Sequence, residues 1–276
     1  MRVLFILLCL QPALVMAAPR VVTSIAPLQE ITSAVMNGVG EPQLIIDQQH
    51  SVHHFAFKPS HMRRLQQAEL VIWISRHFES GFNRVPEVLP ATTRQLELLP
   101  ALGLEDDDGH IWYSPTLLQQ SITIITQALA DLDPANHARY QDNAKALQAE
   151  VEAWRQGMQQ RWRNRQFRLL TDHIFLAHFN RDLAMFEITH IQDEHAAHGG
   201  LKDLERLEDW LSEEPAGCLL TLEPPSPMAR SLAYKYQLPI VDITGIDSAK
   251  DSILWRQQQL ASALETCLDE QQADSA

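Results

Sequence analysis

Basic residues are scarce in this 276-residue chain: 22 Lys and Arg stand against 35 Asp and Glu, a formal net charge of −13. So acidic a chain is a poor partner for nucleic acid or an anionic membrane, and it does not repel cations. Cysteine is scarcer still, with three residues. There is no Cys-x-x-Cys and no His-Glu-x-x-His, so neither common zinc signature is available. Internal repeats and low-complexity tracts are also missing. The one long apolar run, Val3 to Met16, is interrupted by Gln11-Pro12 and is too short to span a bilayer.

That run reads as a secretory signal peptide over residues 1–17. Arg2 supplies the positive start and Val15-Met16-Ala17 the cleavage positions. A retained anchor is the alternative. Cys9 lies between leucines with no small residue before it, which speaks against lipid attachment. The expected location is the periplasm. Cys218 and Cys267 then remain, and an even count in an oxidising compartment favours a bridge over two buried free thiols. Such a bridge would stabilise the fold by roughly 3–4 kcal/mol.

With 45% hydrophobic and 21% charged residues the chain can build an ordinary core. Short apolar segments alternate with helical spacing. Strands are expected at Arg20–Ile25, Pro42–Asp47, Leu70–Ser75, Phe167–Leu170, Gly217–Leu222 and Pro239–Ile243. Helices are expected at Pro27–Val39, Lys58–Ala68, His173–Met185, Leu201–Glu213, Ala229–Tyr236 and Ser252–Leu268. This alternation predicts an α/β fold with parallel sheets.

Between the halves, Asp133-Pro134 opens a stripe of Tyr140, Ala144, Leu147, Val151, Trp154, Met158 and Trp162. At spacings of three and four this is one long helix of about thirty residues, or about 45 Å. It predicts two α/β lobes, 18–132 and 166–276, joined by a rigid backbone helix over 133–165. A coiled-coil seam is the competing use for such a helix.

Chemistry concentrates in the twelve histidines. His61, His137 and His190 read as structural or solvated. Three groups fall in strand-end loops that should converge on an interlobe cleft. The first is His50-Ser-Val-His53-His54-Phe. The second is Glu105-Asp-Asp-Asp-Gly-His110-Ile-Trp-Tyr-Ser-Pro115, and the third is Asp172-His173. Neutral imidazole is a good Zn²⁺ ligand, and three of them leave room for a fourth donor.

These segments make the chain resemble the zinc-binding substrate-binding proteins of ABC transporters, the cluster built on a long backbone helix. His53-His-Phe-Ala-Phe-Lys-Pro59-Ser60, with Ala68-Glu-Leu-Val-Ile-Trp73 after it, looks like that family's first metal-binding segment. Glu79 fits a recurring acidic position behind it. His110-Ile-Trp-Tyr-Ser-Pro115 looks like the second segment, and His173 with Phe179 the third. Cys218-Leu-Leu-Thr-Leu-Glu223-Pro224 and Cys267-Leu268 match the cysteine pair of the zinc branch.

The resemblance implies the ligand set His53, His110, His173 and Asp242, with Zn²⁺ as cargo in the cleft. It also implies a monomer that delivers the ion to a permease in the inner membrane, and no catalysis. His at the third position, where the manganese branch typically has Glu, points to zinc over the harder ion. Departures from the pattern are Val52 before His53 and an acidic loop reduced to residues 105–108. Extra histidines stand in its place: His54, His77, His178, His195 and His198. A weaker second metal site at His195-Ala-Ala-His198 is one expectation. The rival functions are a manganese carrier of the same family, a secreted zinc hydrolase, and a receptor for an organic iron chelate or cobalamin.

Overall fold

A computed structural model describes residues 17–47, 55–104, 108–163, 165, 167–184, 186–192, 201–214, 216–247 and 252–274. The proposed signal peptide lies outside them apart from Ala17. Two four-stranded sheets, parallel throughout, form two lobes. In the N-lobe the order is β2-β1-β3-β4, from β1 (Val21–Thr23), β2 (Gln43–Leu44), β3 (Leu70–Trp73) and β4 (Arg94–Glu97). In the C-lobe it is β6-β5-β7-β8, from β5 (Phe167–His173), β6 (Phe186–Gln192), β7 (Leu219–Thr221) and β8 (Ile240–Asp242). Each lobe therefore starts in the middle of its sheet, steps to one side, then crosses back. The crevice between β1 and β3, and its counterpart between β5 and β7, are where such sheets bind ligands, at the carboxyl ends of the strands.

The α/β expectation holds, and Leu70–Trp73 is buried along its whole length, as a strand covered on both faces must be. Helices α1 (Ala26–Val35), α2 (Pro59–Gln67) and the short α3 (Val85–Val88) and α4 (Leu98–Ala101) serve the N-lobe. Around the C-lobe sheet lie α7 (Ala177–Leu183), α8 (Leu201–Glu213), α9 (Pro227–Lys235) and α10 (Ile253–Asp274). As expected, α8 turns Leu207 and Leu211 into a small outer core with Leu219 and Leu232.

Between the lobes run α5 (Pro115–Leu132) and α6 (His137–Arg161). The long helix is 25 residues, about 38 Å, rather than thirty. Its stripe is buried as expected: Tyr140, Ala144, Leu147, Val151 and Met158, with Trp162 just past its end. It is not a solitary rod. α5 packs along it, with Gln148 donating to the Gln119 carbonyl and the Thr123 hydroxyl. The stripe belongs to this intramolecular pair, and one buried cluster continues from Val21 through α5 and α6 to Leu268.

The expectation of a helix over His173–Met185 needs correcting. β5 continues to His173, α7 begins only at Ala177, and a further strand, β6, starts at Phe186. Asn180 ties the helix to the start of β6: its side chain accepts from the Phe186 amide at 3.0 Å and donates to the Phe186 carbonyl at 2.9 Å. Ala184 turns the chain through a left-handed conformation at φ 50°.

The lobes are tied by more than the central helices. α10 returns to the N-lobe, where the fully buried Arg256 pairs with the largely buried Glu30 of α1 at 2.5 Å. The next residue, Gln257, donates to the Trp112 carbonyl. Cys218 and Cys267 are disulfide-bonded, with Cα atoms 5.0 Å apart, pinning α10 to the sheet beside β7.

Candidate metal centre

Each lobe delivers one imidazole to the seam. His173 is the last residue of β5, the strand beside the C-lobe crevice. His110 precedes a single 3-10 turn, Ile111–Tyr113, that leads into α5. Ser114 caps α5 through its hydroxyl, which accepts from the Leu117 amide at 3.0 Å, and Pro115 takes the first helical position. Upstream of the cap, the 108–110 segment faces the C-lobe, where His178 Nε2 lies 2.7 Å from the Asp108 carbonyl oxygen. The His110 and His173 rings then lie 5.4 Å apart, centroid to centroid, across the lobes.

Both imidazoles carry a carboxylate at Nδ1. Asp108 Oδ1 lies 2.6 Å from His110 Nδ1 and accepts the His110 amide at 2.9 Å. Asp172 Oδ1 lies 3.1 Å from His173 Nδ1 and accepts the His173 amide at 3.0 Å. A carboxylate there holds the proton on Nδ1 and leaves the lone pair on Nε2, the tautomer a metal-binding imidazole needs. Burial would raise the Asp108 carboxyl, but the charge and hydrogen bonds of His110 outweigh it and hold it below the usual carboxylate range. Phe78, Trp112, Tyr113 and Phe175 stand around the His110 ring, with centroids 5.0 to 6.4 Å away.

The N-lobe crevice is closed from behind by Glu79, which is fully buried. One carboxyl oxygen bonds the Ser24 hydroxyl past the end of β1. The other accepts the Ile74 and Ser75 amides past β3, at 2.8 and 3.1 Å. Burial pushes its pKa from 4.5 to about 8, opposed by those three hydrogen bonds and assisted by the charge of Glu97. Burial thus favours the neutral form of Glu79, whose hydrogen bonds stitch β1 to β3. The preceding residue, Phe78, lies edge-on against His110.

Of the four residues expected as ligands, the structure brings His110 and His173 together. Asp242 ends β8 on the same carboxyl edge, in register with Thr221 of β7, and its Oδ1 accepts the Thr244 amide at 2.8 Å and the Thr244 hydroxyl. Among the described residues no three His, Cys, Asp or Glu side chains are grouped to hold a metal. His53 lies outside the described residues, as do His54, the acidic residues 105–107, and His195 and His198. Sequence groups Asp172 with His173 and Asp108 with the acidic loop before His110, without giving either carboxylate the role of holding its imidazole. Asp172-His173 and Asp108-x-His110 are the signals that mark them.

Two parallel lobes braced by a helix pair, with an imidazole from each at their common edge, make up the bilobal fold seen in substrate-binding proteins. Solved structures with this fold include the periplasmic zinc binding protein TroA from Treponema pallidum, at a TM-score of 0.77 and 16% identity over 91% of this chain and 99% of that one. A zinc-bound 138–173 deletion mutant of ZnuA superposes at 0.77 with 21% identity, over 91% and 97%. A Mn-bound periplasmic metal binding protein from Candidatus Liberibacter asiaticus also superposes at 0.77, with 16% identity over 90% and 99%.

The family model for the zinc-uptake complex component A, periplasmic, ZnuA, matches residues 21–267, and the chain belongs to that family. The high-affinity zinc uptake system protein ZnuA of Yersinia pestis is 27% identical over 171 residues, 49% of this chain and 54% of that protein. Its counterpart from Haemophilus ducreyi is 26% identical over 164 residues, 48% and 53%. The chain spans about half the length of these curated relatives.

Proposed function

We propose that this chain captures Zn²⁺ in the periplasm and hands it to an ABC-transporter permease of the inner membrane. Membership of the zinc-uptake family supports the class of function. The observation that carries the metal is the pair of imidazoles facing each other across the lobes, each backed by a carboxylate at Nδ1. In this reading the ligands are His53, His110, His173 and Asp242, and the working protein is a monomer of two lobes, 18–132 and 166–276, freed of residues 1–17. Imidazole donors favour Zn²⁺ over Mn²⁺, which prefers oxygen. Family membership supports binding over hydrolysis, and the two carboxylates beside the pair, Asp108 and Asp172, are both engaged with Nδ1 atoms.

Titration of the metal-free protein tests this reading. One tight Zn²⁺ per chain is expected, with Mn²⁺ weaker by several orders of magnitude. Protons compete for the imidazoles, so affinity should fall steeply below about pH 6. Equal affinity for the two metals, or only several weak equivalent sites, would sink the proposal. Hydrolase activity in the zinc-loaded protein would favour the enzyme instead.

A further inference from the structure

We propose that His178, on α7 of the C-lobe, is a positioning residue for His110 of the N-lobe, acting through the main chain of Asp108. This rests on the reading that His110 binds the metal. His178 is one of the extra histidines expected near the cleft, yet it is 1% exposed. Its Nε2 lies 2.7 Å from the carbonyl oxygen of Asp108. Its Nδ1 lies 3.3 Å from Nη1 of Arg181, one turn further along α7.

The two partners require the same tautomer. A carbonyl oxygen only accepts, so Nε2 must carry the proton. A guanidinium only donates, so Nδ1 must carry the lone pair. His178 is therefore a neutral donor locked between two groups, with neither nitrogen turned to a metal.

What it holds is the segment that presents His110. Asp108 takes the amide and ring nitrogen of His110 with its carboxylate, while its carbonyl is gripped from the opposite lobe. Between them, Gly109 lies so close to Phe78 that a Cβ there would fall 2.1 Å from the ring. The segment is wedged between Phe78 of its own lobe and His178 of the other. His178 also follows His173 in one continuous strand, turn and helix. The hydrogen bond from α7, with Phe78 on the other side, thus ties His110 to the element that carries His173 and helps set the separation of the two imidazoles.

A purely structural role would amount to gluing the lobes, and α7 contains a second contact that does only that. Asp182 Oδ2 accepts the Ser114 hydroxyl at 2.6 Å and the Thr116 amide at 2.9 Å without touching 108–110. The test compares His178→Leu, His178→Gln and Asp182→Ala in the full chain. It measures Zn²⁺ affinity against a chromophoric chelator, thermal stability, and the d–d spectrum of the Co²⁺-loaded protein.

His178→Leu should lose about 10–100-fold in Zn²⁺ affinity and shift the Co²⁺ bands, the usual range for residues that orient a ligand. His178→Gln, whose amide replaces the Nε2 donor, should stay within about threefold of wild type. Asp182→Ala should lower the melting temperature and leave affinity and spectrum unchanged. Wild-type affinity in His178→Leu overturns the proposal, and so does an equal loss in Asp182→Ala. Should His178→Leu fail to fold, His178→Asn decides, because its shorter amide falls short of the carbonyl: wild-type affinity there overturns the proposal and a loss sustains it. If His110→Ala binds Zn²⁺ like wild type, the metal assignment itself fails, a result separate from all of these.

Discussion

The two lobes bring the same pair of groups, a carboxylate and an imidazole, to the seam by different means. In the N-lobe the pair is dry: the His110 and Asp108 side chains are 4% and 1% exposed. It sits on a loop, so its geometry must be imposed by neighbours, and Phe78 and His178 impose it. In the C-lobe the pair is wetter, with His173 and Asp172 at 17% and 14%. It sits on a strand end, where the sheet itself sets direction, and Asp172 reaches across to the Leu222 amide beyond β7 at 3.5 Å. The crevices follow the same division. A buried Glu79, its pKa raised by that burial, fills the N-lobe side, while Asp242 on the C-lobe edge is exposed. A loop needs many contacts to aim a ligand; a strand end needs few.

The largest test of this comparison is removal of each imidazole. His110→Ala and His173→Ala should both lose more Zn²⁺ affinity than the roughly 10–100-fold typical of supporting residues. A modest loss in one of them, by chelator competition, would make the site one-sided.

The carboxylates come next. Asp108→Asn should cost affinity within that roughly 10–100-fold range, and Asp172→Asn less, because water can replace a partly exposed partner. Equal losses would dissolve the distinction between a dry and a wet half.

The third test concerns Glu79. Its folded pKa, about 8, lies above the ordinary 4.5. The neutral form therefore stabilises the fold fully below about pH 4.5, and that contribution declines as pH rises to about 8. The slope is at most about 1.4 kcal/mol per pH unit. Urea unfolding of wild type against Glu79→Gln should show the wild type losing ground across this window and levelling off above it. Parallel stability curves for the two proteins would mean that Glu79 is ionised in its burial site.

The smallest expected effect is Asp242→Ala. Water can supply a fourth donor, so Zn²⁺ affinity should fall less than in either histidine variant. A loss as large as theirs, measured by calorimetry, would place Asp242 on equal footing with the imidazoles.

Much of this was legible beforehand. The continuous apolar run expected as a strand at Leu70–Ser75 is a strand over Leu70–Trp73, buried along its length. The stripe from Tyr140 to Trp162 could only be a long helix with one covered side. α5 was missed although Leu118, Ile122, Ile125 and Leu129 fall at spacings of four and three and form one buried stripe, so its helical signal was in the sequence. β6 was hidden because no glycine or proline marks the end of α7 after Leu183; the turn at Ala184 and the bonds of Asn180 to Phe186 decide it. Nor did any internal repeat show in the sequence, although both lobes use the same strand order. Topology constrains which segments are apolar and how long they are, and leaves the residues free.

The sequence by itself determined the α/β class, the acidic surface charge, the long helix and the family, because these depend on composition, periodicity and contiguous motifs. Only the tertiary structure decided which histidines meet. His110 and His178 look alike along the chain, one beside aromatics and the other on a helix. The fold turns one toward His173 and locks the other against the Asp108 carbonyl. An imidazole's role is set by which atom holds each of its nitrogens, and at this seam those atoms come from residues up to 70 positions away.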